Sequence, residues 1–203
     1  MSLSTELEQV RRQAREIYSA AEVRTALCAM AGRIAAELAD TNPLVVAVMH
    51  GGVFTAVHLC EQFEFAHEFD YVHVSRYGRA LSGGALEWIV GPKAIYRDRV
   101  VLLVDDVLDR GVTLAALHAE LKRMPVADLR TAVLVSKEVD VPAARPVVDF
   151  VGLRAGKEYL FGCGMDYKGY WRNLRSVYAV ATPPSFGVGA ASGVGAASGR
   201  DSS

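Results

Sequence analysis

Apolar residues recur every three or four positions near the N-terminus. Leu7, Val10, Ala14 and Ile17 form one series, and Val23, Leu27, Met30, Ile34 and Leu38 form a second. This spacing predicts helix from Ser4 to about Ala39, with a break near Ser19. Ser19 is placed to cap the second helix, Glu22 is its capping-box partner, and Asn42-Pro43 ends the run. The pattern then changes. "PLVVAVMHGG" is a continuous apolar run closed by a glycine pair, which reads as a strand covered on both faces. "FDYVHVSRY", "RVVLLVDD", "LRTAVLVSK", "VVDFVGL" and "EYLFGCG" are further strand candidates, while "VFTAVHLCEQF" and "TLAALHAELKRM" read as helices. Alternation of this kind predicts an α/β fold, a parallel sheet with helices on both faces.

Two segments depart from it. "RALSGGAL", Arg79 to Leu86, is rich in small residues and reads as a mobile loop. "GVGAASGVGAASGRDSS" repeats GVGAAS and holds almost nothing that could be buried, so it reads as a disordered appendage. The globular unit is therefore set at residues 1–183 and the tail at 184–203.

Composition narrows the partners. A chain of 203 residues suits one domain, and its net charge of -1 gives no support for nucleic-acid or anionic-membrane binding. No apolar run approaches the ~20 residues that span a bilayer. The N-terminus lacks a signal-peptide core. Cys28, Cys60 and Cys163 are far apart and odd in number, which argues against a disulfide framework or zinc site and for a reducing cytoplasm.

The chemistry gathers in "VVLLVDDVLDRGVTLAAL". Asp105 and Asp106 end an apolar strand, where parallel sheets bind ligands. Gly111 lets backbone approach a ligand, and Thr113 can cap the next helix beside free N–H groups that suit a phosphate. Acids for hydroxyls and amides for a phosphate together describe a phosphorylated sugar. A solvated acidic turn capping a helix is the plainer alternative. The chain contains neither GxxxxGK[ST] nor a GxGxxG opening a helix after a strand.

The same segment resembles the phosphoribosyl-pyrophosphate (PRPP) motif of type I phosphoribosyltransferases. "VVAVMHGG", "VHVSRYG", "VLVSK" and "VVDFVGL" with "FGCGMDYKGYWRNL" extend the resemblance, in order, to the hypoxanthine-guanine phosphoribosyltransferases over about Tyr18–Val180. The resemblance implies a central, mostly parallel sheet flanked by helices, with a small hood from both chain ends. It implies that Asp105 and Asp106 hold the ribose hydroxyls, with a lesser claim as magnesium ligands, and that Asp109 manages the purine N7 proton. The amides of Arg110, Gly111 and Val112 with the Thr113 hydroxyl would cradle the 5-phosphate. His50 and Gly51 would lie in a pyrophosphate loop with a cis peptide after Met49, and Arg172 would reach pyrophosphate. Lys137 would bond a purine 6-oxygen, Phe150 stack on the base, and Val151 read its edge. Arg76 and Tyr77 would open a flexible catalytic loop.

Three positions depart from the family pattern. Relatives usually carry lysine at His50, threonine at Arg110, and a magnesium-holding aspartate where Lys157 stands. A neutral histidine supplies less charge to pyrophosphate, and a lysine repels magnesium. The expected activity is transfer of phosphoribosyl from PRPP to hypoxanthine or guanine, with Mg2+, in a homodimer or homotetramer. The alternatives are a xanthine preference, or a non-catalytic PRPP or nucleotide sensor.

Overall fold

The structure, a computed structural model, describes residues 2–76, 86–139 and 145–180, with backbone alone at Ser75, Arg76 and Leu86. In chain order the main elements are α1 (Leu3–Gln13), β1 (Arg15–Tyr18), α2 (Ala20–Leu38), β2 (Leu44–Met49), α3 (Gly52–Cys60), β3 (Glu68–Arg76) and β4 (Leu86–Val90). They continue as β5 (Val100–Leu108), α4 (Val112–Leu121), β6 (Asp128–Lys137), β7 (Phe150–Ala155), β8 (Tyr159–Phe161) and β9 (Val177–Val180).

Among the described residues, six strands form the main sheet in the order β4-β3-β2-β5-β6-β7. All neighbours are parallel except β3 and β4, so the sheet is mostly parallel with one antiparallel edge. The continuous apolar runs follow from burial on both faces. Val45, Ala47, Leu102, Val104 and Leu134 pack with Val23, Leu27, Met30 and Ile34 of α2. Their alternates Leu44, Val46, Val101, Leu103 and Val133 pack with Leu114, Leu117 and Leu121 of α4. A second sheet, β1-β9-β8, is antiparallel and brings the N-terminal segment against the C-terminal one. This is the hood.

Ser19 caps α2 with the reciprocal Glu22 bonds of a capping box. The N-terminal helical run is interrupted, however. Ile17 belongs to β1, because Arg15 and Glu16 pair with Ala179 and Tyr178 of β9, and that distant pairing overrides the local period. "VVDFVGL" yields strand only from Phe150; Val147 is 84% exposed. Tyr77, most of the small-residue stretch and the 184–203 tail lie outside the described residues. Among the described residues no helix is long and apolar enough to cross a membrane.

Candidate active site

A cavity of about 430 Å³ opens at the carboxyl ends of β2, β5 and β6, with the Tyr159–Arg172 segment of the hood as its far wall. From β5 it receives Asp105 and Asp106, 9% and 8% exposed. The Asp106 amide donates to Asp105 Oδ1 at 2.9 Å. Burial raises both acids above the ordinary carboxylate range. The neighbouring Asp106 charge raises Asp105 further, and Arg172 opposes the shift at both. A partner that donates hydrogen bonds to the ionised forms would relieve the cost of burying them.

The turn after β5 carries Asp109, Arg110 and Gly111 into α4. Gly111 has φ +75° and sits so tightly that a Cβ there would lie 2.7 Å from Pro146 Cδ. Glycine is thus required twice, by conformation and by contact. Arg110, Val112 and Thr113 line the cavity beside it, at the start of a ten-residue helix whose first amides have no intrahelical acceptor.

The end of β2 supplies the opposite wall. The Met49–His50 peptide is cis. A Cβ on Gly51 would stand 1.7 Å from Asp106 Oδ2, and one on Gly52 would stand 2.5 Å from the Val104 carbonyl. The glycine pair is what lets this loop lie directly over the acids of β5. His50 meets His73 of β3 edge-on, with ring centroids 4.6 Å apart. His73 is lowered from the usual histidine value by burial first and then by the His50 charge.

Lys137, the last residue of β6, is 8% exposed, and its Nζ lies 3.5 Å from Asp109 Oδ2. An ammonium and a carboxylate thus stand side by side at the cavity wall. Arg172 crosses from the hood, with Nη1 donating to the Gly164 carbonyl at 2.6 Å and Nη2 in an ion pair with Asp166 Oδ1 at 2.6 Å.

Two expected base contacts lie elsewhere. Phe150 is 1% exposed in the core that α2 covers, with no face toward the cavity. Val151 does not line the cavity, and its carbonyl accepts from Arg33 of α2 at 2.6 Å. As the opening residues of β7 they are consumed by sheet and helix packing. Tyr159, followed by Leu160, is an aromatic side chain that does line the cavity. Tyr159 donates its hydroxyl to the Asp166 carbonyl at 2.8 Å, and burial pushes its pKa up to about 12. The sequence signal was present, an aromatic opening a short strand after a Gly-Lys turn, but nothing local says which aromatic faces the ligand.

Lys157 likewise does not line the cavity, whereas Asp166 does. Asp166 is a cavity residue that the sequence did not single out. Arg76 ends β3 with only its backbone described.

These strand ends, a buried acid pair beside a helix start and a facing hood, agree with a profile of the phosphoribosyl transferase domain that matches residues 14–166. The chain belongs to that family. Among its relatives, a hypoxanthine-guanine-xanthine phosphoribosyltransferase of Tritrichomonas foetus is 28% identical over 160 residues, 79% of this chain and 87% of the relative. A hypoxanthine-guanine phosphoribosyltransferase of Aquifex aeolicus is 32% identical over 142 residues, 68% of this chain and 77% of the relative. A solved hypoxanthine phosphoribosyl transferase of Trypanosoma cruzi superposes with a TM-score of 0.74 at 25% identity, over 82% of this chain and 90% of that one. Within the family the chain stands with the hypoxanthine-guanine enzymes.

Proposed function

We propose that this protein salvages purines by moving the 5-phosphoribosyl group of PRPP to N9 of hypoxanthine or guanine, giving IMP or GMP and pyrophosphate. The observation that carries this reading is the Lys137–Asp109 pair, 3.5 Å apart in a cavity that also holds the Gly111 loop. The ammonium donates to a 6-oxygen while the neighbouring carboxylate accepts or supplies the N7 proton. Adenine, with an amino group at that position, would meet the ammonium donor to donor.

The 5-phosphate takes the amides of Arg110, Gly111 and Val112 and the Thr113 hydroxyl, with Arg110 adding charge where relatives carry threonine. Asp105 and Asp106 accept the ribose 2- and 3-hydroxyls. The pyrophosphate lies along the His50–Gly51 loop, within reach of Arg172. Tyr159 gives the base an aromatic face, the role first expected of Phe150. Arg76 and Tyr77 open the segment that would cover the ribosyl centre and exclude water.

Magnesium fits this donor set in part. Asp105, Asp106 and Asp166 offer the oxygen ligands it prefers. Among the described residues, though, no three His, Cys, Asp or Glu side chains converge to hold a metal. Most of its ligands must then come from pyrophosphate, ribose hydroxyls and water. When bound it would neutralise the leaving pyrophosphate.

Cys28, Cys60 and Cys163 are all free, which suits a reducing cytoplasm. The deciding assay incubates protein, PRPP and magnesium with hypoxanthine, guanine, xanthine or adenine. Nucleotide should form with hypoxanthine or guanine and fall about 10²-fold or more in Asp109→Asn. PRPP binding without turnover of any base would sink the reading in favour of a sensor, and turnover of xanthine alone would reassign the base.

A further inference from the structure

Strands β5 and β6 run in register as far as Leu108 and Ser136. Just past that pair, one side chain from the segment before β7 spans both strands. Arg145 Nη2 donates to the Leu108 carbonyl at 2.6 Å and to the Lys137 carbonyl at 2.8 Å. Leu108 directly precedes Asp109, and Lys137 carries the ammonium that meets Asp109 at 3.5 Å. A third functional element is touched as well. A Cβ on Gly111 would lie 3.0 Å from Arg145 Cγ and 2.7 Å from Pro146 Cδ, so this corner also backs the phosphate loop. Arg145 Nε is buried without a hydrogen-bond partner, so the Nη2 contacts to the two carbonyls hold the guanidinium in place. Arg145 does not line the cavity.

We propose that Arg145 is a positioning residue for the transfer reaction: it bridges the ends of β5 and β6, fixing Asp109 against Lys137 and seating the purine relative to the phosphate loop. This rests on the purine-transfer reading above. The chemistry favours arginine because a planar, permanently charged guanidinium makes strong bonds to two carbonyls at fixed spacing. One nitrogen makes both contacts, so a lysine ammonium could bond both carbonyls. Its rotatable N–H groups on a flexible stem would hold the pair less rigidly than a planar guanidinium. The consequence is kinetic, since a misplacement of about 1 Å in a catalytic pair can cost ~10²-fold.

The test compares wild type, Arg145→Lys and Arg145→Ala. In Arg145→Ala, kcat/KM for hypoxanthine should fall about 10- to 100-fold. PRPP binding measured without base should move less than about threefold, and added guanidinium should restore part of the activity; Arg145→Lys should fall between. A base kcat/KM within about twofold of wild type would overturn the proposal. So would equal losses of PRPP binding and base turnover with no rescue, because Arg145 would then serve the fold at large. Amide hydrogen exchange supplies a readout that needs no turnover. Exchange at residues 108–110 and 136–138 should quicken selectively in Arg145→Ala. If wild type turned over no purine, the transfer reading would fail by itself, and unchanged exchange at these amides would then overturn the role of Arg145.

Discussion

Asp105 and Asp106 show what the site demands of individual residues. Both are buried side by side and raised above the ordinary carboxylate range, chiefly by burial. An acid raised in this way binds more protons folded than unfolded. Stability therefore falls as pH rises from the ordinary range through the raised values. At neutral pH the pair is a burden on the fold, retained for what it holds. Asp105→Asn keeps the acceptor for the Asp106 amide but removes one buried charge. It should raise Tm by about 2–4 °C near pH 8, the shift that ~1 kcal/mol gives a chain of this size. The gain should shrink toward about pH 5, while PRPP affinity drops. A thermal-shift series over pH checks the slope; a variant less stable than wild type at every pH would contradict it.

Between elements, the contact that matters is hood against core. Gly164 has φ +100°, and a Cβ there would lie 2.5 Å from the Gly51 carbonyl and 3.3 Å from Asp106 Cβ. The C-terminal segment thus presses on the His50–Gly51 loop through two glycines. Gly164→Ala should push that loop off the acids, raising KM for PRPP at least about tenfold and lowering Tm by several degrees. Unchanged PRPP kinetics would show that the hood sits looser than the structure places it. This level is also where the sequence stops being legible. The buried runs of β2, β5 and β6 announce themselves because burial on both faces leaves a continuous apolar signature. β1 and β9 do not, since Arg15 becomes strand only by pairing with Ala179, far along the chain. In the site, Asp105 to Thr113 is readable because its residues are contiguous. Tyr159, Asp166 and Arg145 are not, because their roles exist only once the hood and the segment before β7 have folded over the sheet.

At the scale of the whole molecule, the described residues leave one face of the sheet incompletely covered. Phe69 and Tyr71 lie in register beside Val45 and Ala47, on the side that α2 and α3 cover nearer the middle. On the edge strand, Trp88 packs into the opposite core, which turns its neighbour Ile89 to this same side. The three are 45%, 40% and 57% exposed, an apolar row on the two outermost strands. A second copy of this chain is the occupant we expect, since a net charge of -1 sets little repulsion between copies. The row also leads toward the site, because His73 follows Tyr71 on the same face of β3 and its ring meets His50. Covering Tyr71 would therefore stiffen the His50–Gly51 loop from behind. Sedimentation at about 10–100 μM should give a dimer or a multiple of it, and Tyr71→Glu should release monomer with a raised KM for PRPP and a Tm that no longer rises with protein concentration. A wild type that stays monomeric across that range would remove the second copy from this face. A Tyr71→Glu monomer with unaltered PRPP kinetics would leave the dimer but sever it from the His50–Gly51 loop.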